Sequence, residues 1–88
     1  MTLQVSIVSA EAELFSGEAF QVVARTTEGE IGLLQGHEPL LGILSTGEVR
    51  VTLLNGEKMI VNADGGFISF EHNVVTVVAG KAHLVSND

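Results

Sequence analysis

Hydrophobic and polar positions alternate along much of the chain with a period of two residues, which is typical of β-strands. Residues 2–8 place Leu3, Val5 and Ile7 on one face, and residues 48–54 follow the same pattern. No window keeps the 3.6-residue period of an amphipathic helix. The pattern therefore predicts an all-β chain.

Two other extended runs predict further strands. In residues 18–27 the alternation places Phe20, Val22 and Ala24 on one face. Residues 74–78 contain four valines, and such an apolar run is typical of a strand that is covered on both faces.

Short polar and glycine-rich segments separate these runs and predict turns. Asn55-Gly56 is typical of a two-residue type I′ hairpin, in which both central residues need positive φ. Turns are also predicted at Glu28-Gly29-Glu30, Asp64-Gly65-Gly66 and Glu71-His72-Asn73. The regular spacing predicts a flattened β-sandwich of about eight to ten short strands, in a single domain spanning residues 1–88.

Composition supports this fold class and narrows the possible partners. Twelve of the 88 residues are valine, and β-branched side chains favour strands over helices. Four basic and eleven acidic residues give a formal charge of -7, which argues against binding to nucleic acid or to anionic lipid. No apolar run approaches the ~20 residues of a membrane span, so we expect no insertion into the membrane.

Motifs for catalysis or metal binding are incomplete. His37-Glu38 begins like the zinc-protease motif H-E-x-x-H, but Leu41 stands at the second histidine position and Pro39 would break the required helix. Gly36 is followed by His37 rather than by the lysine of a P-loop, and no G-x-S-x-G motif or cysteine occurs. We therefore expect no catalytic residue, no bound cofactor and no metal site.

One segment contains more large apolar side chains than a small core can use. Residues 35–44 combine a turn with the side chains of Pro39, Leu40, Leu41, Ile43 and Leu44. A domain of this size cannot bury all of its aliphatic residues, and exposed apolar patches usually mark a protein partner. The segment therefore predicts a protein-binding surface.

Several short motifs also follow one another in a distinctive order. They are Val8-Ser9-Ala10-Glu11, Leu14-Phe15-Ser16-Gly17, E-G-E-I-G at residues 28–32, G-H-E-P-L at residues 36–40 and G-G-F at residues 65–67. This combination resembles the N-terminal domain of the epsilon subunit of F-type ATP synthases, over essentially the whole chain. The resemblance implies a flattened ten-stranded β-sandwich without catalytic activity.

The resemblance also implies two partners within the central stalk of the rotor. The gamma subunit is expected to contact Ser9, Ala10, His37, Glu38, Pro39, Leu40 and Leu41. The membrane-embedded ring of c subunits is expected to contact Glu28, Gly29 and Glu30. Such a subunit would couple proton-driven rotation of the ring to ATP synthesis. It would lie peripherally at the cytoplasmic face, most simply of a bacterial cell membrane.

Many members of the family continue into a C-terminal helical hairpin that restrains ATP hydrolysis and, in some, binds ATP. This sequence stops after its last predicted strand, so it is either a short form or a piece of a longer protein. Because neither the hairpin nor a P-loop is present, we expect no ATP binding. The alternative is a free-standing small β-sandwich module that binds protein or carbohydrate. The absence of Trp and Tyr argues against sugar binding, since these rings usually form the sugar platform.

Overall fold

The computed structural model describes the backbone of residues 2–87 and the side chains of residues 2–85. Regular structure in this part of the chain is entirely β, which confirms the predicted fold class. The seven strands are β1 (Leu3–Ser9), β2 (Glu13–Thr26), β3 (Gly29–Leu33), β4 (Leu40–Ile43), β5 (Gly47–Leu53), β6 (Lys58–Glu71) and β7 (Val74–Asn87). There are fewer strands than the eight to ten predicted, because β2, β6 and β7 each continue for 14 residues.

Each of the three long strands takes part in both layers of the sandwich. Layer A consists of β1, β4, the first halves of β2 and β7, and the second half of β6. Layer B consists of β3, β5, the second halves of β2 and β7, and the first half of β6. Counting the halves separately gives ten segments, five in each layer. Pairing of β1 with both β7 and β2 closes the path β1-β7-β6-β5-β2 into a ring.

A bulge in β2 lies where this strand passes from layer A to layer B. Ala19 pairs with Leu53 and Gln21 with Thr52, so Phe20 is an extra residue without a partner on β5. Phe20 is therefore 46% exposed, whereas Val22 and Ala24 are buried. The predicted common face is wrong for Phe20, because a bulge shifts the alternation by one residue.

The corresponding bend in β6 falls at Gly65 and Gly66, which have φ values of +74° and +103°. Asp64-Gly65-Gly66 was predicted to be a turn, and this prediction is wrong, because β6 continues through it. Asp64 pairs with Lys81 and Gly66 pairs with Ala79 across the bend. Strands β6 and β7 therefore pass from one layer to the other together while they remain paired.

The predicted turn between β6 and β7 is a two-residue chain reversal. His72 and Asn73 have φ values of +51° and +62°, and the flanking residues Glu71 and Val74 pair directly. Positive φ at both central residues is the type I′ conformation that was predicted for Asn55-Gly56. In that loop Gly56 has a φ of +88° but Asn55 does not adopt positive φ, so the type I′ prediction is wrong there.

The hydrophobic core lies between the inward faces of the two layers. Its largest fully buried side chains include Leu3, Val5 and Ile7 of β1, Val49 and Val51 of β5, Phe70 and Ile68 of β6, and Val75 and Val77 of β7. The alternation predicted for β1 and β5 is confirmed. The prediction that residues 74–78 are covered on both faces is wrong for the described chain, because Val74 is 43% exposed. The outward face of layer A is therefore open.

We expect the bend at Gly66 to tolerate no larger residue. A Cβ atom there would overlap the Val78 carbonyl oxygen and lie 2.7 Å from Ala79 Cα, and neither backbone atom can rotate away. Gly66→Ala should lower the free energy of unfolding by at least ~3 kcal/mol. Gly56→Ala is the control, since its φ is also positive but no atom lies within 4 Å of the added Cβ, and it should cost about 1 kcal/mol. Denaturant titrations measure both values, and equal losses would contradict this role of Gly66.

Candidate interaction face

Outward side chains of layer A form three parallel rows that cross its strands. Residues directly opposite one another in a sheet share a face, so the strand register defines each row. The first row consists of the apolar residues Ile43, Phe67, Val78 and Val8 and ends at Glu13 on β2, which lies opposite Val8. Ile43 is 57% and Phe67 39% exposed. With neighbouring strands ~4.8 Å apart, this apolar row extends for about 14 Å from β4 to β1.

The other two rows are more polar. The second row consists of Leu41, Ser69, Thr76, Ser6 and Ser16. The third row consists of Glu71, Val74, Gln4 and Glu18. We call the surface made by these three rows the layer A face. Sequence reasoning missed the first row, because it becomes visible only when the registers of four strands are known.

Leu40 and Leu41 point to opposite sides of β4. Leu41 is 72% exposed and projects from the layer A face. Leu40 is half-buried, packs against the core and pairs with Phe70. Of these two predicted contact residues, the structure therefore offers Leu41 to a partner and assigns Leu40 to the core.

His37, Glu38 and Pro39 are exposed in the loop that precedes β4. The imidazole of His37 packs edge-on against the buried ring of Phe70, with the ring centroids 5.6 Å apart. Its Nδ1 atom lies 2.8 Å from the Glu38 carbonyl oxygen. The loop is thus held over the end of the core.

Asn73 fixes this loop from the neighbouring turn. The Gly36 backbone N–H donates to Asn73 Oδ1 at 2.7 Å. The Gln4 backbone N–H donates to the Asn73 carbonyl oxygen at 2.9 Å. Asn73 therefore connects three segments that are distant in sequence: the start of β1, the loop before β4 and the β6–β7 turn. No local sequence signal indicated this role.

Ser9 and Ala10 lie on the opposite side of the layer A face from Leu41. Ser9 ends β1 opposite Ala79, immediately after Val8 of the first row. Its hydroxyl accepts from the Glu11 backbone N–H and lies 3.4 Å from the Ala12 carbonyl oxygen, to which it donates. The Ser9 hydroxyl thus shapes the turn, while the neighbouring Ala10 is exposed.

The predicted turn at residues 28–30 overlaps the reversal between β2 and β3, but the structure centres this reversal on Thr27 and Glu28, and Gly29 and Glu30 already belong to β3. Thr26 is buried, and its Oγ1 donates to the Gly29 carbonyl oxygen at 2.8 Å and accepts from the Glu28 backbone N–H at 3.2 Å. The Thr27 backbone N–H donates to the Ile43 carbonyl oxygen at 2.9 Å. Glu28, Gly29 and Glu30 are all exposed. The acidic turn is therefore anchored next to the first row.

Two other kinds of site are absent from the described residues. Among residues 2–87, no three His, Asp or Glu side chains approach closely enough to hold a metal ion. In the same part of the chain, no helix is long and apolar enough to cross a membrane.

The comparison with protein families identifies the family to which the chain belongs. Residues 2–85 match the family model described as ATP synthase, Delta/Epsilon chain, beta-sandwich domain. The chain belongs to this family. The match confirms both the resemblance found in the sequence motifs and the β-sandwich fold.

Named relatives agree with this assignment. The ATP synthase epsilon chain of Streptomyces avermitilis is 46% identical over 82 residues, which are 93% of this chain but 66% of the relative. The ATP synthase epsilon chain of Frankia casuarinae is 46% identical over 84 residues, which are 96% of this chain and 99% of the relative. The chain thus spans just under two thirds of the Streptomyces relative.

A solved structure of a related assembly has the same fold. One chain in the mitochondrial ATP synthase of Euglena gracilis, solved as OSCP/F1/c-ring, superposes with a TM-score of 0.88 at 26% identity. The superposition covers 94% of this chain and 53% of that chain. A chain in the central stalk and c-ring structure of Tetrahymena thermophila matches with a TM-score of 0.77 at 13% identity, which supports the fold alone.

We expect the Asn73 side chain to order the loop before β4. Asn73→Gly keeps a residue that accepts positive φ but removes the acceptor for the Gly36 N–H. Amide hydrogen exchange at Gly36 should become roughly 5- to 15-fold faster, which corresponds to the ~1–1.5 kcal/mol of a typical hydrogen bond. Asn73→Asp retains both the acceptor and the tolerance of positive φ, so it should preserve slow exchange. Unchanged exchange in Asn73→Gly would rule out this role.

Proposed function

We propose that the protein is a non-catalytic subunit of the central stalk of an F-type ATP synthase. The layer A face binds the gamma subunit, and the turn at residues 28–30 contacts the ring of c subunits. The observation that carries the proposal is the uncovered apolar row beside Leu41, in a chain of the delta/epsilon family. Support also comes from the Euglena structure, whose matching chain belongs to an assembly that contains F1 and the c-ring.

The composition of the layer A face suits a stable protein interface. Such interfaces usually have an apolar centre that is surrounded by polar side chains. Here Phe67 and Ile43 are flanked by Leu41, and the small hydroxyl side chains of Ser69 and Thr76 follow in the second row. The proposed gamma contact therefore includes both the expected Leu41 and the first row that the strand register revealed.

The proposed role is mechanical and requires no chemical step on this subunit. The subunit holds gamma to the ring, so that both turn together when protons drive the ring. A rigid body transmits torque better than a flexible one, and the closed ring of strand pairs provides such a body. The complex would place the subunit peripherally at the cytoplasmic face of a bacterial membrane.

The turn at residues 28–30 is suited to a polar contact at the ring. Its two carboxylates are exposed, and two hydrogen bonds to Thr26 fix its backbone. Glu30 lies opposite Arg25 on β2, so its carboxylate already has a basic neighbour on the same surface. An exposed ion pair contributes only ~0–1 kcal/mol, so the contact would position the subunit more than it would bind it.

Substitutions on β4 test the proposed gamma contact. Leu41→Asp should weaken binding to the gamma subunit at least ~100-fold, because a carboxylate would be buried in an apolar interface. The variant should fold normally, since Leu41 is 72% exposed. Calorimetric titration with purified gamma measures the affinity, and thermal unfolding monitors the fold.

Two further variants give this experiment its controls. Leu54→Asp places the same charge on an apolar residue that is 46% exposed and lies in the β5–β6 loop, so it should bind gamma normally. Leu40→Asp should instead destabilise the domain by ~2–4 kcal/mol, because Leu40 packs against the core. Wild-type affinity in Leu41→Asp would remove this segment from the interface.

Disulfide cross-linking tests the proposed ring contact. A cysteine at position 30 should form a disulfide with a cysteine in the polar loop of the c subunit when the assembled complex is oxidised, because a disulfide requires Cα atoms within ~7 Å. Positions 55 and 72 lie in the β5–β6 and β6–β7 connections and serve as controls. Efficient cross-linking at 55 or 72 without cross-linking at 30 would mean that another part of the domain faces the ring.

A further inference from the structure

The fold places the basic side chains of the chain on one layer only. All four lysines and arginines of the chain lie on strand segments of layer B. They are Arg25 on β2, Arg50 on β5, Lys58 on β6 and Lys81 on β7. All four side chains are exposed.

Layer A carries acidic side chains but no lysine or arginine. Its strand segments contain three carboxylates, Glu13, Glu18 and Glu71, and all three are exposed. Its connecting segments add Glu11 and Glu38, and none of these segments contains lysine or arginine.

The size of the side chains on the layer A face also differs from row to row. The second row has a floor of small, half-buried side chains, Ser6, Thr76 and Ser69. The first row borders this floor with apolar side chains, and the third row borders it with Glu18 and Glu71 near its ends. Residues on one face recur every second position, so the first and third rows are separated by four residues along each strand. With a rise of ~3.3 Å per residue, the two rows are about 13 Å apart. This width accommodates one α-helix, whose diameter with side chains is about 10–12 Å.

We infer that the segment of gamma on this face is an amphipathic helix with an apolar stripe against the first row and lysine or arginine side chains towards Glu18 and Glu71. The inference rests on the proposed function and specifies the chemistry of the partner. Covering these carboxylates with an apolar or acidic surface would cost free energy, whereas a basic side chain offsets that cost. Layer B carries its four cations beside the carboxylates of Glu30, Glu48 and Asp64, so it offers a basic helix no comparable net attraction.

Neutralising the third row tests the electrostatic part of the inference. Glu18→Gln combined with Glu71→Gln should slow association with gamma about 5- to 10-fold at low ionic strength, because long-range charge attraction mainly raises the on-rate. The salt dependence of the on-rate should also become shallower. The Glu18 carboxylate accepts a hydrogen bond from Thr2 Oγ1 at 2.7 Å, and the amide oxygen of glutamine can accept the same bond.

A matched control separates local attraction from the effect of net charge. Glu48→Gln combined with Glu57→Gln removes the same two charges from layer B and its β5–β6 loop. This control should keep the on-rate within about twofold of the wild type, because its charges face away from the proposed helix. Equal on-rates for the two double variants would overturn the electrostatic part of the inference.

Photo-cross-linking tests the helical part. A photoreactive residue is placed in turn at Ser6 and at Ser69, which lie two strands apart on the floor of the second row. The labelled gamma residues should belong to one segment and be spaced by three, four or seven positions. Labels that alternate every second residue, or that fall on separate segments, would overturn the inference. If the wild type does not bind gamma at any salt concentration, the proposed function itself fails.

Discussion

The close approach of β6 and β7 at Gly66 is the constraint on which the rest of the structure depends. A side chain at Gly66 would collide with the backbone at Val78, so the two long strands can bend together only because glycine is present. The shared bend carries both strands from layer B into layer A while their pairing continues. It therefore sets the register of the second half of β6 against β4, and with it the composition of the first row.

Alternation within these registers then decides which apolar residues stabilise the domain and which remain available to a partner. Leu40 and Leu41 are adjacent and chemically identical, yet one packs against the core and the other is exposed. The valines of residues 74–78 divide in the same way, since Val75 is buried and Val74 is exposed. The chain thus retains apolar side chains that its own core does not use, and on the proposed function gamma covers them.

Local sequence patterns were sufficient to predict a strand and its inward residues where the strand is regular and one of its faces is buried. The alternation in β1 and β5 identified both strands and their inward residues. Asp64-Gly65-Gly66 and Phe20 were misassigned, because a glycine pair is compatible with either a turn or a bend, and a bulge depends on the opposite strand. The loop at residues 35–39 could be identified from composition, but its support by Asn73 and the row from Val8 to Ile43 depend on long-range pairing.

The two proposed contacts are mechanically connected through the backbone. The Thr27 N–H donates to the Ile43 carbonyl oxygen, and Ile43 belongs to the first row of the layer A face. A force applied by the ring at residues 28–30 would therefore reach the gamma contact through a paired backbone segment, without crossing a long loop. A short anchored turn deforms less under load than an extended loop does, because fewer backbone dihedrals can change. On the proposed function, this direct connection couples the two contacts through paired backbone.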